Sequence, residues 1–313
     1  MQQNNKGETL LYTACKDGNL KLVQLLHTHG AAMDVTRPTN LGKTPMFIAC
    51  YYGHLEIVQW LHTNGAAMDV TRPTNKGTTP MWIACFKGNF TIVKWLHAHG
   101  AVTRPTNHGT TLLYIACQNG YIEIVKWLYQ NGAHEDVARQ GDKGETPMYI
   151  ACQNGYIDIV EWLYQNGAHE NVMGRTKKGA TPMYIACQNG HIDIVKWLHR
   201  NGAKIMNICY RGMTPMDVVC QRWGNNIHLN IVKYLIHHIT LVEYNTFMRC
   251  KPRCSNLLQY AADDNLFDCQ SFFTFVTIVK RSKFNEEWFL SIIAIYICGG
   301  KETRHILHLI RNN

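Results

Sequence analysis

Twelve cysteines and sixteen histidines are the side chains of this chain best equipped for chemistry, because thiolates and imidazoles bind metals, attack carbonyls and move protons near neutral pH. Cys250 and Cys254 stand at Cys-x-x-x-Cys spacing, within the range zinc sites use, with Cys269, His237 and His238 close in sequence. No second paired motif follows to complete a tetrahedral set, so no metal is expected. Gly42-Lys43-Thr44 ends like a phosphate-binding loop. That loop needs a glycine five residues earlier to let its backbone wrap a phosphate, and the position holds Arg37. No G-x-G-x-x-G, G-x-S-x-G or H-E-x-x-H occurs. Asn89-Phe90-Thr91 has the form of a glycosylation acceptor, but it falls at a helix start, and Gln2, Gln3, Asn4 and Asn5 provide no apolar leader. Nothing assembles a nucleophile, a base and an oxyanion site. The expectation is a protein that is not an enzyme, with no catalytic residues and no cofactor.

The elements that carry these residues are repeated. The phrase Gly-x-Thr-Pro-Met-aromatic-Ile-Ala-Cys recurs with small changes from Gly7, Gly42, Gly77, Gly109, Gly144, Gly179 and Gly212, at intervals of 35, 35, 32, 35, 35 and 33 residues. A second motif follows each phrase, as in Ile192 to Ala203. Periods of this length mark stacked arrays. Each unit parses into two short helices. In the second unit Thr44 is placed to cap the first helix, Pro45 takes the first helical position, where its missing N–H does no harm, and Gly53 ends it. The second helix runs through Leu55, Ile57, Val58 and Leu61, an apolar stripe at i, i+3, i+4, and stops at Gly65. Helices this short are marginal alone, so stability must come from stacking one unit on the next.

The units resemble ankyrin repeats. Lys178-Gly179-Ala180-Thr181-Pro182-Met183-Tyr184-Ile185-Ala186-Cys187-Gln188-Asn189-Gly190-His191 follows that family's pattern almost position for position, and the likeness extends over about Asn4 to Ile239. The resemblance implies an all-α solenoid of seven stacked helix-turn-helix units with β-turn or hairpin-like linkers over 1–239. Residues 240–313 are then expected to form a helical cap or small helical domain. Two departures stand out. The family's histidine after Pro-Leu is replaced by Tyr12, Phe47, Trp82, Tyr114, Tyr149, Tyr184 and Asp217. Its second alanine is always cysteine: Cys15, Cys50, Cys85, Cys117, Cys152, Cys187 and Cys220. A free cysteine is small and readily buried, and one thiol per unit cannot pair at the roughly 10 Å expected between stacked helices. Trp60, Trp95, Trp127, Trp162 and Trp197 form another register, with Leu25 and Tyr234 at its ends, and are read as packing residues. His27, His62, His97 and His199 recur near the ends of second helices, where imidazolium suits the helix dipole.

The resemblance also implies a groove, lined by linker tips and by the two residues before the first helix's terminal glycine. Those pairs are Lys16/Asp17, Tyr51/Tyr52, Phe86/Lys87, Gln118/Asn119, Gln153/Asn154 and Gln188/Asn189. Units two and three place three aromatics and a lysine there, the residue types that anchor protein interfaces. Val-Thr-Arg-Pro-Thr-Asn occurs three times in the linkers, putting Arg37, Arg72 and Arg104 at similar places along one rim, with the third linker shortened. Their guanidiniums could meet carboxylate or phosphate on a partner. The partner-binding candidates are therefore Tyr51, Tyr52, Phe86, Lys87, Arg37, Arg72 and Arg104.

The remaining composition sets bounds. A net charge of +9 is spread without long basic runs, so no nucleic-acid partner is expected. The longest apolar stretch, Trp288 to Cys298, is too short to span a membrane. Without a leader, the chain reads as cytoplasmic, the nucleus not being excluded, and monomeric. The function expected is a non-catalytic protein–protein interaction scaffold binding another protein in its groove. The alternative is a substrate adaptor of a ubiquitin ligase, whose repeats hold the client and whose tail holds the ligase.

Overall fold

In the computed structural model, thirteen α-helices alternate with short turns among the described residues, which are 3–102, 110–205, 207, 209–221 and the positions 228, 230, 231, 234, 235 and 238. The first helices of the units are α1 (Leu10–Lys16), α3 (Pro45–Tyr52), α5 (Pro80–Lys87), α7 (Leu112–Asn119), α9 (Pro147–Asn154), α11 (Pro182–Asn189) and α13 (Pro215–Gln221). The second helices are α2 (Leu20–Leu26), α4 (Leu55–Leu61), α6 (Phe90–Ala98), α8 (Ile122–Leu128), α10 (Ile157–Leu163) and α12 (Ile192–Arg200). Each first helix before α13 packs on the first helix of the next unit and on the second helix of its own, so the helices form two layers. There is no strand among the described residues. The expected helical tail, together with Arg104, Cys250, Cys254, Cys269 and the interruption at Trp223–Asn226, lies outside the described residues.

Local chemistry explains the start of every first helix. Thr9, Thr44, Thr79, Thr111, Thr146 and Thr181 each accept a hydrogen bond on Oγ1 from the backbone N–H three residues on, at 3.1–3.2 Å. This satisfies one of the donors that a helix N-terminus leaves open. Thr214 does the same for the Asp217 N–H, and Asp217 Oδ2 reaches back to the Thr214 N–H at 2.7 Å, a reciprocal pair. Asp217 thus strengthens its own helix start from the slot where the family carries histidine. Each described linker folds into a tight turn closed by its own backbone, as where Gly42 N–H donates to Thr39 O and Thr39 N–H to Lys43 O. Successive turns are stitched together by Asn40 N–H to Lys6 O, Asn75 N–H to Leu41 O and Lys177 N–H to Lys143 O. A short 3-10 turn, such as Ala67–Val70, leads from the second helix into the linker.

The core is continuous between units. In the second unit Met46, Ala49, Cys50, Val58, Leu61 and Ala66 are fully buried, and the equivalent positions are buried in its neighbours except Leu26 of the first unit, which is half-buried. Cys15, Cys50, Cys85, Cys117, Cys152 and Cys187 are free thiols inside this core. They behave as small apolar side chains.

At the ends of α1, α3, α9 and α11 an open carbonyl is closed by a side chain of the unit that follows. His54 Nε2 donates to Lys16 O at 3.1 Å, Asn89 Nδ2 to Cys50 O at 2.7 Å, His191 Nε2 to Gln153 O at 3.0 Å and His228 Nε2 to Gln188 O at 3.2 Å. These residues directly follow the terminal glycine of their unit, except His228, which fills the role beyond the interruption in the seventh unit. The amide of Asn89 is therefore engaged with the neighbouring helix. The same slot holds tyrosine in units four and five, and there its ring lies on the preceding glycine. A Cβ on Gly120, whose φ is +82°, would meet the Tyr156 ring at 2.5 Å. Backbone conformation and close approach both require glycine at this position. Gly120→Ala is expected to cost about 1–3 kcal/mol, read as a lowered urea midpoint, and Gly174→Ala, whose φ is not positive, serves as the reference. A loss below about 0.5 kcal/mol would show that this contact does not constrain the stack.

Candidate partner-binding surface

Tyr51 and Tyr52 occupy the last turn of α3, and Phe86 and Lys87 the last turn of α5. The stacking of the two helices brings all four side chains together. The Tyr51 and Tyr52 rings meet edge-on, with centroids 4.8 Å apart. Lys87 Nζ lies 4.3 Å from the Tyr51 ring centroid and 5.4 Å from that of Phe86, so one ammonium rests between aromatics of adjacent units. Such a contact stabilises by about 0.5–1 kcal/mol where water reaches it. Tyr52 is 46% exposed, and Tyr51, Phe86 and Lys87 are half-buried.

Trp82 also belongs to this cluster. It lies one turn before Phe86 on α5, and the two rings stack at 5.3 Å with 8° between their planes. Its place in the family's histidine slot was visible in the sequence, and its i, i+4 relation to Phe86 was the available signal. In α3 the same relation links Phe47 to Tyr51, and Lys43 Nζ lies 6.0 Å from the Phe47 ring. An aromatic strip thus runs along two adjacent helices, with lysines at its ends.

The linker arginines are differently placed. Arg37 Nη1 pairs with Asp34 and Arg72 Nη1 with Asp69, each at 3.4 Å, and both aspartates are almost fully buried. Arg72 also donates to Thr36 O of the preceding linker at 3.2 Å. Burial raises the Asp69 carboxyl above its ordinary value, while the hydrogen bond and charge of Arg72 oppose that shift. These guanidiniums hold the linkers as well as facing solvent, their side chains being nearly half exposed. The same pair recurs as Asp136–Arg139.

The pairs in units five and six do different work. Asn154 Nδ2 donates to Gln118 O and Asn189 Nδ2 to Gln153 O, both at 2.8 Å. Those asparagines close the helix of the unit before them. Tyr52 and Lys87 hold the equivalent position in units two and three, where His54 and Asn89 already supply the cap.

On the second-helix layer the tryptophans pack, but on partners that the sequence did not reveal. His27 meets Trp60 edge-to-face at 5.1 Å, His62 meets Trp95 at 5.2 Å, and His97 meets Trp127 at 5.0 Å. Tyr129 and Tyr164 do the same to Trp162 and Trp197, at 5.2 and 5.1 Å. The recurring histidines are thus rungs of an aromatic ladder between units, each contact of a kind that contributes about 0.5–1.5 kcal/mol. His199 continues it onto Tyr234 at 5.8 Å.

Among the described residues, no group of three metal-ligating side chains lies close enough to hold an ion, and no helix is long and apolar enough to cross a membrane. Burial pushes the Cys15 thiol up to about 12 and likewise raises Cys50, Cys85, Cys117, Cys152 and Cys187. A reactive cysteine needs the opposite shift.

A family model described as ankyrin repeats (3 copies) matches residues 1–72, 53–140 and 170–248, and one described as ankyrin repeats (many copies) matches 129–172. Among solved structures, the crystal structure of the human ASB11 ankyrin repeat domain is similar, with a TM-score of 0.60 and 25% sequence identity over 67% of this chain and 91% of that one. No curated protein matches.

The raised thiols set a pH dependence. They stay protonated in the fold where unfolded thiols, with a value of 9.0, ionise. Their stabilisation is therefore complete below about pH 9 and is lost as the pH rises toward the folded value. The urea midpoint is expected to fall steadily from pH 9 to 11. At pH 8, iodoacetamide should leave the six core thiols unlabelled, by peptide mass spectrometry, until denaturant is added. Labelling of the native protein at Cys50 or Cys117 would contradict this burial.

Proposed function

The chain belongs to the ankyrin-repeat proteins, and from that premise we propose that it is a non-catalytic scaffold that holds a partner protein on the groove side of units two and three. Tyr51, Tyr52, Phe86 and Lys87 are its anchors in this reading, with Trp82 stacked behind Phe86. The observation that carries the reading is the internal comparison. Where units five and six use Asn154 and Asn189 to close a neighbouring helix, units two and three present Tyr52 and Lys87 and assign the closure to His54 and Asn89. Aromatic rings and a cation gathered at positions released from structural work are the material of interface hot spots. Arg37 and Arg72 would flank the site with the donors their aspartates leave free, and Arg104 would extend that rim. The scaffold acts as a cytoplasmic monomer in this proposal and needs no cofactor.

The ligase-adaptor alternative assigns its distinctive contact to residues 240–313, outside the described residues. Truncation at Ile239 addresses it: co-purifying ligase subunits would be lost while a client stays bound.

The test of the groove compares affinity capture by the intact chain with capture by a Tyr51→Ala, Tyr52→Ala, Phe86→Ala triple variant, after circular dichroism shows equal helicity. At least one specific partner should be lost, with affinity falling about 30-fold or more, since anchor truncations typically cost 2 kcal/mol or above. If every captured partner survives, recognition does not lie on units two and three.

A further inference from the structure

We infer that the segment held on units two and three is acidic: an extended stretch of another protein that carries Asp or Glu beside apolar side chains. This rests on the reading that the aromatic strip is the binding site. Between Thr36 and Val102 the sequence contains six cations, Arg37, Lys43, Arg72, Lys76, Lys87 and Lys94, against two carboxylates, Glu56 and Asp69. Asp69 is buried beneath Arg72, and Glu56 lies in the first turn of α4, on the second-helix layer. The first helices and turns of these two units therefore present cations with no exposed carboxylate among them. Lys43, Lys76 and Lys87 are in no ion pair among the described residues.

The lysines are also fixed relative to the rings. Lys87 Nζ sits over Tyr51 and beside Phe86, and Lys43 is at the other end of the strip near Phe47. An ammonium held on aromatic faces keeps its hydrogen-bond donors for a partner, and it loses less freedom on binding than a lysine waving in solvent. Lys76 stands on the next turn, which is stitched to that of Lys43 by Asn75 N–H to Leu41 O. A partner lying along the strip would thus place side chains on Tyr51, Tyr52 and Phe86 while its carboxylates meet Lys43, Lys76 and Lys87. The fifth unit lacks this balance, since Asp142 and Glu145 flank Lys143 in its turn. Charge complementarity of this kind governs encounter rate and partner choice.

The experiment selects random peptides of about sixteen residues by phage display on the full-length chain. Enriched peptides are then synthesised and titrated by fluorescence anisotropy against wild type, Tyr51→Ala and a Lys43→Glu, Lys87→Glu double variant, each checked by circular dichroism. The expected result is enrichment in Asp and Glu, with affinity reduced roughly tenfold or more by either variant and weakened further by added salt. Peptides that depend on Tyr51 but are neutral or basic, or that tolerate the double variant, would overturn the acidic assignment and leave the groove reading standing. If no enriched peptide depends on Tyr51, both fail. Where the double variant alone misfolds, replacing Asp and Glu of the selected peptides by Asn and Gln gives the same decision on the wild-type chain.

Discussion

A helix of seven or eight residues has four N–H groups at one end and four carbonyls at the other that it cannot satisfy itself, so almost all of its backbone polarity is terminal. The first helices here resolve this in two ways. A threonine within the unit covers the start, and at α1, α3, α7, α9 and α11 a side chain from the following unit covers the end. The second provision is what makes the units a stack rather than a string: carbonyls at the ends of α1, α3, α9 and α11 gain a partner when His54, Asn89, His191 with Asn189, and His228 arrive. Buried apolar area supplies the bulk of the driving force, but these bonds fix the spacing and rotation at which that area can be buried.

The same constraint explains where the molecule can vary. Two positions can close a neighbouring helix, the residue before the terminal glycine and the residue after it. Unit six uses both, with Asn189 and His191 converging on Gln153 O, and unit five uses the earlier one. Once the later position does the work, the earlier is open to Tyr52 or Lys87. The partner-binding surface is thus an outcome of redundancy in the capping scheme, and its aromatic character required no change to the core beneath it.

Much of this was legible in the sequence. The Thr-Pro start, the terminal glycine and the apolar stripe of each unit are local signals that act within a few residues, and the helices fall where they indicate. The grouping of Tyr51, Tyr52, Phe86 and Lys87 was legible too, because a register shared by adjacent units puts them side by side. The contacts between different registers were not. Periodicity shows that tryptophans align with tryptophans and histidines with histidines, but not that His62 meets Trp95 of the next unit, 33 residues on. Nor does it show that Arg37 and Arg72 lie over buried aspartates, since Asp34 and Asp69 look like ordinary linker acids until the 3-10 turn folds them inward. The His228 cap was hidden for a related reason: the interruption before it shifts it out of the register in which a cap would be sought.

The cross-unit cap also has a direction. Every such bond runs from a later residue to an earlier helix, across 36–40 positions of chain. On the ribosome the earlier helix emerges first and has no partner for its last turn until about one further unit has been made. Folding during synthesis must therefore trail elongation by a unit, each helix remaining frayed at one end while its successor is still in the exit tunnel. Among the described residues, the arrival of His228 closes the last of these gaps.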